Sequence, residues 1–346
     1  MGDADFSNFN DLCATLRRSP RRWLITGVAG FIGSHLLEEL LQLDQEVCGV
    51  DNFATGFQAN LDQVCDTLSR ERRARFDFIE GSITDPSVCK RCCSDVDIVL
   101  HQAALGSVPR SVADPVASNR ANVDGFLEIL LAARDAGIKR FIYASSSSVY
   151  GDSPELPKVE SRVGQPLSPY AVTKATNELY AHAMSSLYEM QLVGFRYFNV
   201  FGPRQDPAGA YAAVVPKWIK LLQDGKDCEV YGDGETSRDF CFVKNVVEAN
   251  LRAALISLPK PCCEVYNVAC GEQTSLNQLY ALLSEGLVER GVALEGRVLQ
   301  QRPFRAGDVR HSLADITLAR QRIGYSPRYS LRDGVVELLD WAVSHG

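Results

Sequence analysis

Short apolar runs alternate with amphipathic stretches over the first two hundred residues. Arg22–Thr26, Glu46–Asp51, Phe76–Ile83, Asp97–Gln102, Arg140–Ser145 and Leu192–Asn199 carry the runs and read as strands. Ile32–Leu43, Ser118–Ala136 and Tyr170–Tyr188 carry helical spacing between them. Alternating strand and helix predicts an α/β fold, a doubly wound parallel sheet covered on both faces. Residues 1–20 read as a helical extension ending near Pro20. From about Phe201 the alternation becomes irregular, Gly, Pro and Asp become frequent, and the helical patterns shorten. The expected division is therefore an extension over 1–20, the sheet domain over 21–200, and a smaller lobe over 201–346. Some segments of that lobe should return to the first domain, and Val265–Val268 is apolar enough to rejoin the sheet. No repeat or low-complexity linker interrupts the chain.

Composition narrows the classes. The chain has 346 residues, 46% hydrophobic and 23% charged, the balance of an ordinary globular protein. A formal net charge of -7 and a pI of about 5.4 argue against general nucleic-acid binding. No apolar run is long enough to span a bilayer. Asp3, Asp5 and Asp11 interrupt the N-terminus, which lacks the apolar core of a signal peptide. The 11 scattered cysteines read as reduced thiols, so a cytoplasmic location is expected. Cys89-Lys90-Arg91-Cys92 has the form of a metal or redox pair. It has no second pair, and the histidines show no ligand spacing, so a structural role and no metal are expected.

Trp23-Leu24-Ile25-Thr26 has the pattern of a buried strand, and Gly27-Val28-Ala29-Gly30-Phe31-Ile32-Gly33 follows it into an amphipathic helix. Glycines there permit a tight turn and close backbone approach to a pyrophosphate, at the positive end of the helix dipole. Alone, this also describes a glycine-rich turn with no ligand. Asp51 shifts the balance, because it closes the second strand about 20 residues later, where a carboxylate can accept the ribose hydroxyls. A carboxylate there would repel a 2′-phosphate, which favours NAD over NADP. Together these features predict a Rossmann-type sheet.

Tyr170 and Lys174 lie one helical turn apart, and a cation beside a phenol favours the phenolate. Such a pair can move a proton near neutral pH. Ser145-Ser146-Ser147-Ser148-Val149-Tyr150-Gly151 follows the strand Phe141-Ile142-Tyr143, at the sheet edge where open α/β folds place ligands. A polar turn is the plain alternative for the serines.

As a set these residues resemble the extended short-chain dehydrogenase/reductase family, and most closely its nucleotide-sugar 4-epimerases. The resemblance runs through His101-Gln102-Ala103-Ala104, Asn122, Arg196-Tyr197-Phe198-Asn199-Val200-Phe201-Gly202-Pro203, Gly232-Asp233-Gly234 and Arg238-Asp239-Phe240. Ala104-Leu105-Gly106-Ser107-Val108-Pro109-Arg110-Ser111 and Gly307-Asp308-Val309-Arg310-His311-Ser312 look like a subgroup acting on N-acetylated UDP-hexosamines in bacterial surface-polysaccharide synthesis.

The resemblance implies a retained NAD, a small-molecule UDP-sugar as partner, and a homodimer paired through Ser118–Ala136 and Tyr170–Tyr188. It implies catalysis by Tyr170, Lys174, Ser146 and Ser148, the two serines being left unranked. Cofactor contacts are implied for Gly27, Gly30, Phe31, Ile32, Gly33, Asp51, Asn52, Ser82, Ile83, Gln102, Ala103, Ala104, Asn122, Tyr170, Lys174, Tyr197 and Val200. Substrate contacts are implied for Gly106, Ser107, Ser146, Ser147, Ser148, Asn199, Gln205, Val215, Tyr231, Arg238, Arg305 and Asp308. Ser312 falls where a small residue would admit an N-acetyl group. One departure is Gly81-Ser82, where the family usually has Gly-Asp against the adenine amine. The implied reaction is C4 epimerisation of UDP-GlcNAc to UDP-GalNAc through a 4-keto sugar. A C6-carboxylated UDP-N-acetylhexosamine or UDP-glucose/UDP-galactose remains open as substrate, and a non-catalytic NAD sensor is the remote alternative. Ser147-Ser148 replaces the Asp-Glu of 4,6-dehydratases, which disfavours dehydration.

Overall fold

A computed structural model describes residues 6, 8–208, 212–304 and 309–345. Seven strands form one parallel sheet: β1 (Arg22–Thr26), β2 (Glu46–Asp51), β3 (Phe76–Glu80), β4 (Ile98–His101), β5 (Arg140–Ser146), β6 (Gln191–Tyr197) and β7 (Cys262–Val268). Their spatial order is β7-β6-β5-β4-β1-β2-β3. The order reverses between β1 and β4, so those strands diverge into a crevice at their carboxyl ends, the ligand position of doubly wound sheets. The strands form because both faces are covered. Trp23, Leu24 and Ile25 are fully buried, with Trp23 and Ile25 facing one apolar layer and Leu24 the other.

Among the helices that cover the sheet are α1 (Phe9–Arg18), α2 (Phe31–Gln42), α3 (Gly125–Asp135), α4 (Pro169–Tyr188) and α5 (Val243–Leu255). Helix α1 lies inside the expected extension. Asn8 caps it through Asp11 N–H at 3.0 Å, and Leu12 and Leu16 bury its inner face in the core shared with α2. The strand expected to reach Ile83 ends at Glu80, where Gly81-Ser82 turns toward the crevice.

The helix expected over Ser118–Ala136 is three pieces. A helical turn at Pro115–Asn119 runs through a π-helical segment, Arg120–Asp124, into α3. The bulge accompanies a buried Asn122 whose side chain is engaged on a neighbouring loop. Cys89 and Cys92 sit in the apolar layer with Leu24 and Cys48, and burial pushes the Cys89 thiol up to about 12.

Beyond Phe201 the helices are longer than expected. Val214–Gln223, Leu276–Glu289 and Leu331–His345 pack around Trp218, Leu279, Leu283 and Leu338. Each buries one stripe and exposes the rest, so polar outer positions break the apolar pattern that the sequence offers. Among the described residues no helix is long and apolar enough to cross a membrane.

Candidate active site

The crevice is a cavity of about 600 Å³ lined from the carboxyl ends of β1, β2, β4, β5 and β6. Its floor is the Gly27–Gly33 turn. A Cβ at Gly33 would stand 2.1 Å from the Gly27 carbonyl oxygen, and one at Gly27 would stand 2.8 Å from Ala103 Cα. Gly27 also adopts φ +71°, in the left-handed region. The residue before α2, Gly30, supplies no side-chain cap, so the helix opens with backbone amides against the cavity. A close-approaching anionic group is what such a turn accommodates.

Asp51 stands beside the turn and accepts from Ala29 N–H at 2.9 Å and Phe53 N–H at 2.8 Å. Burial raises its pKa, and those amides oppose the shift. Each oxygen keeps a lone pair for a further donor such as a ribose hydroxyl. Phe31, Ile32, Asn52, Ser82, Ile83, Gln102, Ala103, Ala104, Tyr197 and Val200 join the same wall. The Ser82 hydroxyl is 2.8 Å from that of Thr84 and accepts from Thr84 N–H, so it closes its own turn.

Asn122 lies behind the wall, fully buried. It accepts from Leu105 N–H at 2.7 Å and donates to Leu105 O and to Thr173 Oγ1, both at 3.1 Å. It thereby couples the Leu105–Ser107 loop to α4.

At the other end, Tyr170, Lys174 and Ser146 converge. Tyr170 is held by Ser168-Pro169, with Ser168 capping α4 through Ala171 N–H at 3.1 Å. Ser111 Oγ accepts from Tyr170 N–H at 3.0 Å. Lys174 donates to Ala144 O at 2.7 Å, and its Nζ is 5.9 Å from the centre of the Tyr170 ring. Burial raises the Tyr170 pKa, while a hydrogen bond with Ser146 lowers it. Burial lowers Lys174 to about 8, opposed by Glu178. The expected help of a cation to the phenol is thus outweighed by the desolvation both groups share.

Ser146 lines the cavity and accepts from Ser148 N–H at 3.1 Å. Ser147 and Ser148 form the next turn, and Ser148 Oγ is buried with no partner among the described residues. The two serines left unranked are therefore distinguished by geometry, and Ser146 is the one beside Tyr170.

Gly106, Ser107 and Gln205 line the cavity opposite. Gln205 donates to Val200 O at 3.2 Å, and its Oε1 has no partner among the described residues. Its loop is anchored to α2 by Arg204, which pairs with Glu38 at 2.6 Å and donates to Ser34 Oγ at 3.0 Å. Sequence reasoning missed Arg204, although it directly follows the Arg196–Pro203 motif.

The second-lobe residues form a separate cluster. Ser312 N–H donates to Ser237 O at 3.1 Å, and Arg238 donates to Arg310 O at 3.2 Å. Asn199 Nδ2 donates to Asp239 O at 3.3 Å. Val215 is buried in the lobe core, and Tyr231 ends a short strand. Arg305 and Asp308 lie outside the described residues.

Residues 23–269 match the NAD dependent epimerase/dehydratase family. The chain belongs to that family. NAD is its cofactor, and the glycine turn and Asp51 fit that group. A UDP-N-acetylglucosamine 4-epimerase of Methanobrevibacter ruminantium M1, solved in complex with UDP-N-acetylmuramic acid, is 36% identical. The match has a TM-score of 0.85 over 94% of this chain and 99% of that one. A UDP-glucose 4-epimerase of Mycolicibacterium smegmatis is 34% identical across 92% of this chain and 98% of its own. A UDP-glucuronate 4-epimerase of Thermodesulfobacterium geofontis is 31% identical across 92% of this chain and 95% of its own. The epimerase relatives share the extent of this family member, from β1 through the second lobe.

Proposed function

We propose that this UDP-sugar 4-epimerase acts on UDP-N-acetylhexosamines, interconverting UDP-GlcNAc and UDP-GalNAc. The observation that carries the reaction type is the convergence of Tyr170, Ser146 and Lys174 at one end of a dinucleotide cleft. Bound NAD supplies reversible oxidation at the sugar C4. Tyr170 takes the C4 hydroxyl proton at its phenol oxygen and returns it to the same oxygen after the 4-keto sugar has turned. Ser146 hydrogen-bonds the C4 oxygen and keeps Tyr170 aimed at it. Lys174, protonated below about pH 8, holds the nicotinamide ribose hydroxyls and favours the phenolate. Arg238, Asn199, Arg305 and Asp308 hold the UDP, and residues from about 201 onward form that lobe.

The N-acetylated substrate is supported by the small residues that share the cavity with Tyr170. Ser107 is short, and a Cβ at Gly106 would meet nothing within 4 Å. Ser312, in the second-lobe cluster, is short as well. The methanogen structure is a relative whose name carries the same sugar. The test is to incubate the NAD-loaded enzyme with UDP-GlcNAc and with UDP-glucose, separate the products, and repeat with Ser312→Tyr. A phenol ring at Ser312 should sharply reduce UDP-GlcNAc turnover and spare UDP-glucose. An equal loss on both substrates removes Ser312 as the gate.

One observation favours a second reading, a C6-carboxylated sugar. Arg110 lines the cavity half-buried, one turn after Ser107, and its guanidinium has no hydrogen bond or ion pair among the described residues. A carboxylate is the group such a fork accepts. Turnover of the uronic-acid substrate that falls in Arg110→Gln, while UDP-GlcNAc turnover holds, would establish it. For assembly we infer a homodimer through α4, which exposes Val172, Leu179 and Leu187 beside Val112 and Val116.

A further inference from the structure

Behind the Tyr170–Lys174 face lies a buried charge pair that the reaction as described does not use. Arg196 on β6 grips Glu178 on α4 bidentately, at 3.0 Å and 2.7 Å. Their side chains are 6% and 14% exposed. The same Glu178 oxygen accepts from Ser145 Oγ at 2.5 Å. Ser145 directly precedes Ser146 at the end of β5, and Glu178 follows Lys174 by one helical turn.

Arg196 has a third donor, which bonds Glu160 O at 2.9 Å, and its guanidinium lies 4.8 Å from the centre of the Tyr150 ring. Glu160 accepts from Asn267 N–H at 2.8 Å, and Tyr150 donates to Asn267 Oδ1 at 2.6 Å. One pair therefore ties together the catalytic helix, the serine strand, the segment after it and β7.

A buried ion pair is weak evidence for net stability, because desolvation offsets the attraction. Its consequence here is geometric and electrostatic. Ser145 bonded to Glu178 fixes where β5 ends, and so where Ser146 meets Tyr170. The titratable and charged groups facing Lys174 are Tyr170 and Glu178 from its own helix and His101 from β4, with the Ala144 carbonyl from β5. His101 is held neutral, its pKa lowered to about 3 by burial and then by the Lys174 charge. Glu178 is then the one anion among these neighbours.

We propose that Glu178, clamped by Arg196, is a positioning residue that sets the Ser146–Tyr170 geometry and sustains the charge on Lys174. This rests on the reading of Tyr170 and Lys174 as the proton-transfer pair. Glu178→Gln keeps the shape and removes the charge. It should lower kcat roughly tenfold with KM within about twofold, the pattern of an interaction acting on the chemical step. Its alkaline limb, set by loss of the Lys174 proton, should move down by about half a pH unit or more.

Ser145→Ala removes the contact and keeps the charge, so kcat should fall while the limb stays. NAD content and thermal midpoint are measured on every variant. Normal kcat and an unmoved limb in Glu178→Gln overturn the proposal, as does a loss explained wholly by missing NAD or unfolding. Should that variant not fold, Glu178→Asp decides. It keeps the charge and shortens the reach, so it should retain the limb and lose kcat, and wild-type kcat refutes the role. A Tyr170→Phe enzyme that still turns over would instead defeat the reading beneath it.

Discussion

In the dinucleotide half of the cleft, the principal groups come from the ends of regular strands or the first turn of a helix, with loop residues such as Ala54 and Thr55 filling in between. Gly27, Asp51, Gln102 and Ser146 stand where β1, β2, β4 and β5 stop. The second lobe has no such frame. Apart from Val215 on a helix and Tyr231 on a four-residue strand, its described candidate residues sit on two-residue strands and loops held by crossed hydrogen bonds. Ser237 bonds His311 at 2.8 Å, and buried Asp239 accepts from Cys270, Gly271 and Ala314 N–H groups at 2.9, 3.0 and 3.2 Å. A sheet edge places functional groups through backbone geometry, whereas the lobe places them through a few polar side chains. Substitutions should therefore fail differently in the two regions, by chemistry in the first and by folding in the second.

The largest effect is expected at the strand-built end. Tyr170→Phe removes the ionisable oxygen and leaves the ring, α4 and the Ser111 contact to its backbone in place. Turnover should fall at least about a hundredfold, the scale of positioned acid–base catalysis. NAD content and UDP-sugar binding should persist, measured by absorbance after denaturation and by calorimetry. A parallel loss of NAD would mean that Tyr170 is structural, and the contrast between the regions would weaken.

The lobe should show the opposite behaviour in Asp239→Asn. An amide can accept through only one of its two terminal atoms, so at least one buried N–H loses its partner at a cost of about 1–3 kcal/mol. Burial raises the Asp239 pKa to about 6, against three amides that lower it. A folded-state pKa above the unfolded one contributes stability that is complete below the ordinary carboxyl value of 3.8 and fades as pH rises through about 6. The amide variant has no such titration. Its deficit against wild type, from chemical denaturation, should therefore shrink between pH 4 and pH 7. A deficit that widens over that window would show that the carboxylate is stabilised by its ionised form.

This difference also explains what could be read from the chain. The limits of β1 and β2 follow directly from the sequence, because a strand buried on both faces leaves a continuous apolar run. The glycine turn and Asp51 follow from spacing alone. The break in the expected Ser118–Ala136 helix does not, because it accompanies a tertiary contact of Asn122 with Leu105, far apart in sequence. Glu178 lies four residues after Lys174 on the same helix, but its partner Arg196 belongs to a strand, and no local pattern pairs them. In the lobe, Asp239 stands in the sequence only as part of Arg238-Asp239-Phe240, and nothing local shows that three distant amides converge on it.

The smallest effect sharpens the comparison within the serine run itself. Ser146 and Ser148 are chemically identical and two residues apart, so the sequence alone does not separate them. Strand geometry does. Ser146 ends β5 with its hydroxyl toward Tyr170, while Ser148 lies in the following turn with its hydroxyl buried and without a partner among the described residues. A buried hydroxyl without a partner carries a desolvation cost, so its removal is neutral or mildly favourable. Ser148→Ala should leave kcat within about twofold and the thermal midpoint unchanged or raised, whereas Ser146→Ala should lose about tenfold or more in kcat. The matched pair is informative because both changes delete one oxygen from the same short segment. A loss in Ser148→Ala equal to that in Ser146→Ala would place the second hydroxyl on the substrate after all. The end of β5 would then not be what selects the catalytic serine.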